Sequence, residues 1–450
     1  MLAARTTPEE ADIEALSARI DRLGCPDHIP TQKRGYHVTP HAGQRTGGAV
    51  LPPEARVDEY VTRPEIGLAY DPFRAPDAGA DSRLAEYFVV DRSVLRALWA
   101  DEHSLVVAEA GAGKSAVRVW LSHDCRTRRD GRKILAVVFN APSPDDVGGI
   151  PPDPSRFIAQ LLKAATRSLL LEALYRPQLV AGLHQDERDR LASILKDDIG
   201  WPLEYVSGII EGGDFAALIR LVDPTASGLF ARPSAERVSA AWDQIRGADA
   251  RAESLPEFAR WTRLVSFALD VLGYEAIYLL VDGIDGHPSL AHRPDDAVAL
   301  MAPLFADARL WSGLAVFIKA FLPPQIERCP DLVSSALLTA NPRRATILWT
   351  RDGVITILRQ RLLAASRGAL GSFGPLASPE LGQAEIEIAD HLERAGLLMP
   401  REAVRAAEQM LIEHVMRADA PIYLEPADLH KALLRCLATR RPGALRPRQP

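Results

Sequence analysis

Apolar residues follow two patterns along this chain, continuous runs and longer stretches with helical spacing. The continuous runs have the length of strands and suit strands that are buried on both faces of a sheet. They lie at 105–108, 133–142, 276–282, 314–322 and 345–350. Segments with helical spacing separate them, and strands that alternate with helices predict an α/β fold with a parallel, doubly wound sheet.

The chain between the second and third runs is too long for a single connecting helix. Several helix-like pieces fill residues 155–255, with breaks at Gly200-Trp201-Pro202 and at Gly212-Gly213-Asp214. An amphipathic helix at 256–272 then leads into the third run. We therefore predict a core domain at 65–351 that contains a helical insertion.

Three smaller parts are predicted outside this core. Apolar residues at helical spacing in 8–24 predict an amphipathic helix, which either binds a partner or packs on the core, and 25–64 is rich in Pro, Gly, His and Thr without a period. We assign 1–64 to this helix and a flexible linker. The pattern at 352–438 predicts a small helical C-terminal lid domain, and the basic, proline-containing 439–450 predicts a disordered tail.

The composition is that of a water-soluble protein with more than one domain. The chain has 450 residues, 47% of them apolar, and a formal net charge of −6, which gives no electrostatic reason to bind nucleic acid. Its four cysteines stand far apart and its eleven histidines show no ligand spacing, so we expect neither a disulfide framework nor a structural metal. Residues 1–10 lack a hydrophobic signal core, and no apolar run has the length of a membrane span. These features predict a cytoplasmic protein.

The most informative motif follows the first predicted strand, where residues 104–115 have the sequence SLVVAEAGAGKS. Gly111 and Gly113 allow successive backbone N–H groups to point at one site, which forms an anion-binding nest at the start of a helix. Lys114 supplies a positive charge for the β- and γ-phosphates of a nucleotide, and the Ser115 hydroxyl can ligate Mg²⁺. The motif therefore predicts a phosphate-binding loop for ATP.

One position departs from the usual G-x-x-x-x-G-K-[ST] spacing, because Ala108 stands where the first glycine is expected. Alanine is small, so the turn is preserved if Ala108 keeps a negative φ. The alternative is an ordinary Gly-Ala turn with an incidental lysine. The predicted nucleotide contacts of the loop are Ala108, Gly111, Ala112, Gly113, Lys114, Ser115 and Ala116.

An acidic residue ends the third predicted strand and supplies the second half of the site. The run AIYLLVD ends at Asp282, which we predict to contact Mg²⁺ indirectly, through water. Many P-loop ATPases place a glutamate directly after this aspartate to polarise the attacking water, but Gly283 occupies that position here. Asp285 is the nearest acid and either orients the water or caps a turn. Hydrolysis is therefore predicted to be slow.

Further residues are candidates to contact the nucleotide. Lys319, in the fourth predicted strand, either senses the γ-phosphate or only extends from the strand end. Arg401 opens a helix of the C-terminal domain and either folds back onto the nucleotide or lies on the surface. Phe73 and Tyr87, which precede the loop, either stack on the base or pack in the core.

Together these segments resemble the AAA-related P-loop ATPases. The resemblance rests on AEAGAGKS at 108–115, YLLVDGID at 278–285, AVFIKAFLP at 315–323 and PREAVRAAEQML at 400–411. It is greatest to the bacterial STAND-type signalling ATPases, which typically carry Asp-Gly/Ala-hydrophobic-Asp where AAA+ motors carry Asp-Glu. Ala108 and Gly286 depart from that pattern, and the long repeat sensor and effector domain of a typical STAND protein are not visible. The resemblance implies a nucleotide-dependent switch that changes shape or oligomerises when ATP replaces ADP.

The sequence leaves three functions open. The leading hypothesis is a regulatory ATPase that hydrolyses ATP slowly and acts through protein partners or self-association. The alternative is a DNA-associated AAA+ ATPase of the replication-initiator or transposition-regulator type. The segment Asp71-Pro72-Phe73, which resembles the Asn-Pro-Phe of those ATPases, and the basic tail favour it, whereas the acidic net charge and the lack of a clear helix-turn-helix disfavour it. The third is a scaffold that binds nucleotide without turnover, which Gly283 permits.

Overall fold

The computed structural model describes residues 52–75, 81–127, 132–223, 234–248, 254–284, 290, 293–417 and 421–438. The predicted amphipathic helix at 8–24, the basic tail and Asp285 lie outside these ranges. The chain divides into two compact units. Within the described ranges, the sheet unit comprises residues of 81–85 and 90–348, and the helical unit comprises residues of 52–75, 86–89 and 349–438.

The sheet unit is built on a five-stranded parallel sheet. Its strands are β1 (Ser104–Val107), β2 (Ile134–Asn140), β3 (Ala276–Asp282), β4 (Val316–Leu322) and β5 (Arg343–Thr346). They lie in the order β2-β3-β4-β1-β5, and every neighbouring pair is parallel. The first four strands are buried almost throughout, as apolar runs in a parallel sheet should be. The predicted α/β class with a parallel sheet is confirmed.

Four of the predicted strands are found within two residues of their predicted ends, and the fifth is displaced. It was expected at 345–350 and is formed by Arg343–Thr346. β5 lies at the edge of the sheet, where it pairs only with β1, and three of its four residues are not buried. The position of this edge strand therefore could not be predicted from an apolar run in the sequence.

Helices connect the strands, and the segment predicted as an insertion is helical. The β1–β2 connection contains Lys114–Thr127. The helices between β2 and β3 are Pro154–Tyr175, Gln178–Ala181, Gln185–Asp198, Leu203–Glu211, Phe215–Val222, Ala235–Arg246 and Glu257–Ser266, and the last continues as a π-helical turn over Phe267–Val271. The other α-helices of the sheet unit are Arg92–Trp99, Pro294–Ala306, Pro324–Glu327, Pro330–Val333 and Ala336–Thr339, and the short helix Leu84–Tyr87 has residues in both units.

Polar side chains cover the outer edge of β2. The Val138 backbone N–H donates to Ser168 Oγ at 3.4 Å, and the Arg126 guanidinium donates to the Ala136 carbonyl at 3.2 Å. Arg126 also forms an ion pair with Glu172 at 2.6 Å, and both side chains are fully buried. An uncovered strand edge is open to pairing with another chain, so these bonds end the sheet at β2.

The helical unit contains the helices Pro53–Val61, Arg351–Ala365, Ala384–Arg394, Pro400–Val415 and Pro426–Ala438. The first of them corrects the prediction of a flexible linker that extends to residue 64. Its residues Val57, Tyr60 and Val61 are buried, and the Tyr60 hydroxyl donates to the Ile422 carbonyl at 2.8 Å. A nine-residue helix with three buried side chains gives too weak a period to be recognised from the sequence.

Phe73 and Tyr87 are part of this helical unit. Phe73 is fully buried and stacks on Phe373, with 5.4 Å between the ring centres. Tyr87 lies beneath the guanidinium of Arg361, whose central carbon is 4.5 Å from the ring centre. These contacts favour the packing alternative for both aromatic residues over stacking on a base.

His103 makes a pH-sensitive contact at the amino end of the sheet. Its Nδ1 accepts a hydrogen bond from the Ile318 backbone N–H at 3.0 Å, and its ring lies edge-on to Trp311. Burial, with a smaller contribution from the charge of Lys319, lowers the pKa of His103 to about 4. Protonation of Nδ1 would also break the bond to Ile318.

We predict that the free energy of unfolding decreases as the pH falls from about 6.5 toward 4, because the unfolded chain then binds a proton that folded His103 does not. This single residue can contribute a slope of at most about 1.4 kcal/mol per pH unit. Urea denaturation across this range should show a flatter profile for His103→Gln. His430→Gln, at an exposed position, should keep the wild-type profile. Identical profiles for wild type and His103→Gln would contradict the prediction.

Candidate functional site

The predicted phosphate-binding loop leaves the carboxyl end of β1 and runs directly into the helix Lys114–Thr127. The Ala108 N–H donates to the Leu322 carbonyl at 3.0 Å, which extends the pairing of β1 with β4 by one residue. The loop then turns back, since the Ala112 N–H donates to the Glu109 carbonyl at 3.1 Å. The exposed N–H groups of a helix start therefore lie at the carboxyl edge of the sheet.

Two glycines give the loop its shape. Gly111 has a φ of +87° and Gly113 a φ of +95°, both in the left-handed region that favours glycine. Among the described residues other than glycine, only Asn341 and Arg367 have a positive φ. Ala108 therefore meets the condition under which alanine can replace the first glycine of the motif.

Lys114 folds back over the loop. Its Nζ donates to the carbonyl oxygens of Ala108, at 2.8 Å, and Glu109, at 3.4 Å, and the residue is buried. Ser115 beside it is exposed, whereas Ala112 is buried and Ala116 half-buried. The loop and the helix start thus combine an ammonium group, a hydroxyl and backbone N–H groups, which are the donors that bind phosphate.

Asp282 is the last residue of β3 and lies at the same edge of the sheet as the loop. β4 pairs with β1 on one side and with β3 on the other, so a single strand separates the two. Asn140, the last residue of β2, is opposite Asp282. Asp282 is buried, and its Oδ1 accepts a hydrogen bond from the Gly283 N–H at 2.8 Å. The structure therefore brings the two predicted halves of the site to one edge.

Arg118 is a residue of this site that the sequence did not single out. It lies one turn after Lys114, is fully buried, and places Nε 3.3 Å from Asp282 Oδ2. Its two terminal nitrogens bind the carboxylate of Asp223 at 2.7 and 3.3 Å. Burial alone would lower the pKa of Arg118, but the two carboxylates outweigh it and raise that pKa above its ordinary value. In the sequence, the position of Arg118 four residues after the motif lysine could have indicated its place in the site. No sequence feature indicated a role for Asp223.

The residue after Asp282 bears on hydrolysis. Gly283 has a φ of +76°, a conformation that glutamate adopts only with strain. Asp285, the predicted alternative acid, lies outside the described residues, so its role stays a prediction.

Lys319 lies within its strand and not at the strand end, because β4 continues for three more residues to Leu322. Lys319 pairs in register with Ser104, the first residue of β1, and so lies toward the opposite end of the strands from the loop. Its Nζ donates to the carbonyls of Ala100 and Glu102 at 2.6 and 2.8 Å and to Ser104 Oγ at 3.2 Å. The ammonium group is held inside the fold, where it cannot sense a phosphate bound at the loop.

Arg401 is the second residue of the helix Pro400–Val415 and is half-buried. It belongs to the helical unit, whereas the loop and Asp282 belong to the sheet unit. Its contact with a nucleotide stays a prediction.

Comparisons of the chain with protein-family models, with curated proteins and with solved structures found no match. Within the described ranges, no group of three or more His, Cys, Asp or Glu side chains is placed to hold a metal ion. In the same part of the chain, no helix has the length and apolar composition that a bilayer crossing requires. The function must therefore be inferred from the geometry of the loop and its neighbours.

We predict that Lys319→Met lowers the free energy of unfolding by about 2 kcal/mol or more, because buried oxygen acceptors lose their donor. Any affinity of the loop for a nucleotide should stay within about twofold of wild type, since Lys319 lies away from the loop. Urea denaturation and nucleotide titration measure the two quantities, and Lys431→Met, at an exposed position, is the control. A stable Lys319→Met protein with strongly weakened nucleotide binding would reverse this assignment.

Proposed function

We propose that this protein binds ATP with Mg²⁺ at the loop 108–115 and acts as a slowly hydrolysing regulatory P-loop ATPase. The observation that carries the proposal is the loop itself. Two left-handed glycines, a lysine folded over the loop and an exposed serine stand where a buried strand passes into a helix. This combination matches what phosphate binding requires of a chain.

The strand order supports a doubly wound P-loop fold. The connection from β1 to β2 runs along the sheet in one direction. The connections from β2 to β3, from β3 to β4 and from β4 to β5 run in the other direction. Right-handed connections in both directions put helices on both faces of the sheet. Ligands of such folds bind outside the carboxyl ends of the strands, where the loop lies.

The contacts of Lys114 fit a phosphate ligand. At present its Nζ binds two neutral backbone carbonyls of its own loop. Phosphate oxygens are charged acceptors and form stronger hydrogen bonds with an ammonium group. A triphosphate can therefore replace these contacts without leaving the lysine unpaired.

The oxygen donors at this edge fit Mg²⁺. Ser115 offers an exposed hydroxyl and Asp282 a carboxylate, and Mg²⁺ in nucleotide sites is commonly held by one or two protein oxygens together with phosphates and water. When bound, the ion would neutralise charge on the phosphates. Asp282 also faces Arg118, so its carboxylate would be shared between the bound ion and this guanidinium.

The first test is nucleotide binding by the purified protein. Lys114→Ala should abolish the binding of a fluorescent ATP analogue, because the loop loses its only side-chain cation, while Lys196→Ala, at an exposed site of the same unit, should bind like wild type. Absence of binding to the wild type in the presence of Mg²⁺ would refute the proposed function.

Steady-state ATP turnover, measured with and without duplex DNA, separates the regulatory ATPase from its alternatives. We expect slow turnover that exceeds the Lys114→Ala blank and does not respond to DNA. Strong stimulation by DNA would instead indicate a DNA-associated AAA+ ATPase. Binding without turnover would indicate a nucleotide-binding scaffold.

Asp285→Asn tests the proposed base. If Asp285 orients the attacking water, turnover should fall by about 10²-fold or more while nucleotide affinity is retained. Asp270→Asn, which changes an exposed acid of the sheet unit, should leave both quantities unchanged. An unaltered rate in Asp285→Asn would remove Asp285 from the catalytic residues.

A further inference from the structure

A buried ion-pair cluster connects the helical insertion to the candidate site. Arg118 stands on the helix that follows the loop, Asp282 ends β3, and Asp223 directly follows the insertion helix Phe215–Val222. The side chains of Arg118 and Asp223 are fully buried and that of Asp282 is 7% exposed. Because so little water reaches the cluster, the three groups interact strongly.

The two carboxylates hold the guanidinium unequally. Asp223 receives both terminal nitrogens, and its shorter contact is 2.7 Å. Asp282 receives only Nε, at 3.3 Å. A guanidinium is planar and rigid, so a carboxylate that holds both terminal nitrogens also fixes the direction of Nε. The position of Asp223 thus determines how closely Arg118 approaches Asp282.

Asp223 is tied to the insertion. Its backbone N–H donates to the Ile219 carbonyl at 2.7 Å, which continues the last turn of Phe215–Val222. Leu218 and Ile219 of this helix are buried, so a shift of the helix would carry the Asp223 carboxylate with it. Arg118 would follow, since its terminal nitrogens are bound there.

We propose that Asp223 is a positioning residue that sets the Mg²⁺ affinity of the nucleotide site, and that the helical insertion regulates the site through it. This inference rests on the proposed function. Asp223 draws the terminal nitrogens of Arg118 away from Asp282 and keeps that carboxylate available to the ion. When Asp223 withdraws, Arg118 pairs more fully with Asp282, and the site loses affinity for Mg²⁺ but not for the nucleotide alone.

The experiment is a titration of a fluorescent ATP analogue on the full-length protein, first without a divalent ion and then with increasing Mg²⁺. Asp223→Asn keeps the size of the side chain and removes its charge. It should raise the Mg²⁺ concentration at half-saturation by about 10- to 100-fold, while the affinity measured in EDTA stays that of wild type. Asp223→Glu, which restores the charge, should recover part of the effect.

Asp214→Asn is the matched control. Asp214 lies at the other end of the same insertion helix, where it caps Ala217 and forms an exposed ion pair with Arg220. Asparagine keeps the cap and removes the charge. This variant should behave as wild type in both titrations.

Hydrogen exchange of the wild-type protein tests the same coupling if Asp223→Asn does not fold. Adding Mg²⁺ to the ATP-bound protein should change the protection of amides in Phe215–Val222 relative to ATP in EDTA. Unchanged protection there, or unchanged Mg²⁺ half-saturation in a folded Asp223→Asn, overturns the inference. Failure of the proposed function would look different, because neither the wild-type protein nor Lys114→Ala would then bind the nucleotide.

Discussion

The candidate site depends on the position of β4, which pairs with β1 on one side and β3 on the other. Ala320 of β4 stands opposite Leu105 in one neighbour and Val281 in the other, so the three strands end at the same edge. The loop after β1 and the carboxylate that ends β3 therefore lie at that edge, with one strand between them, although they are far apart in the chain. The opposite edge is filled by buried groups such as Lys319, which serve stability.

The elements whose burial is uniform could be predicted from the sequence. β1 to β4 are covered on both faces, so their apolar runs gave both their existence and, within two residues, their ends. β5 and the helix Pro53–Val61 could not be predicted in the same way, because each is only partly buried. An edge strand and a short helix take their conformation from the neighbours they pack on, which a local pattern does not contain.

The site, too, could be predicted where it depends on local sequence and not where it depends on residues distant in the chain. The loop is local, since its glycines, lysine and serine stand within a few residues and their spacing carries the chemistry. The Arg118–Asp223 pair joins residues 105 positions apart, and nothing near Asp223 marks it as a partner. Lys319 shows the converse, because a lysine in an apolar run made it a candidate sensor of the γ-phosphate, while the backbone of the segment before β1 supplies buried acceptors for its ammonium group.

The backbone conformation at Gly283 bears on which residue can follow Asp282. A Cβ at this position would meet nothing closer than 3.9 Å, yet the φ of +76° imposes a cost of about 1–2 kcal/mol on any L side chain. A glutamate is therefore disfavoured here by conformation and not by space. The carboxylate of Asp282, just before it, already accepts a hydrogen bond from the Gly283 N–H and faces Arg118. Because Gly283 takes the position where a catalytic glutamate would stand, the described part of the proposed nucleotide site suits a protein that responds to a bound nucleotide more than one that consumes it rapidly.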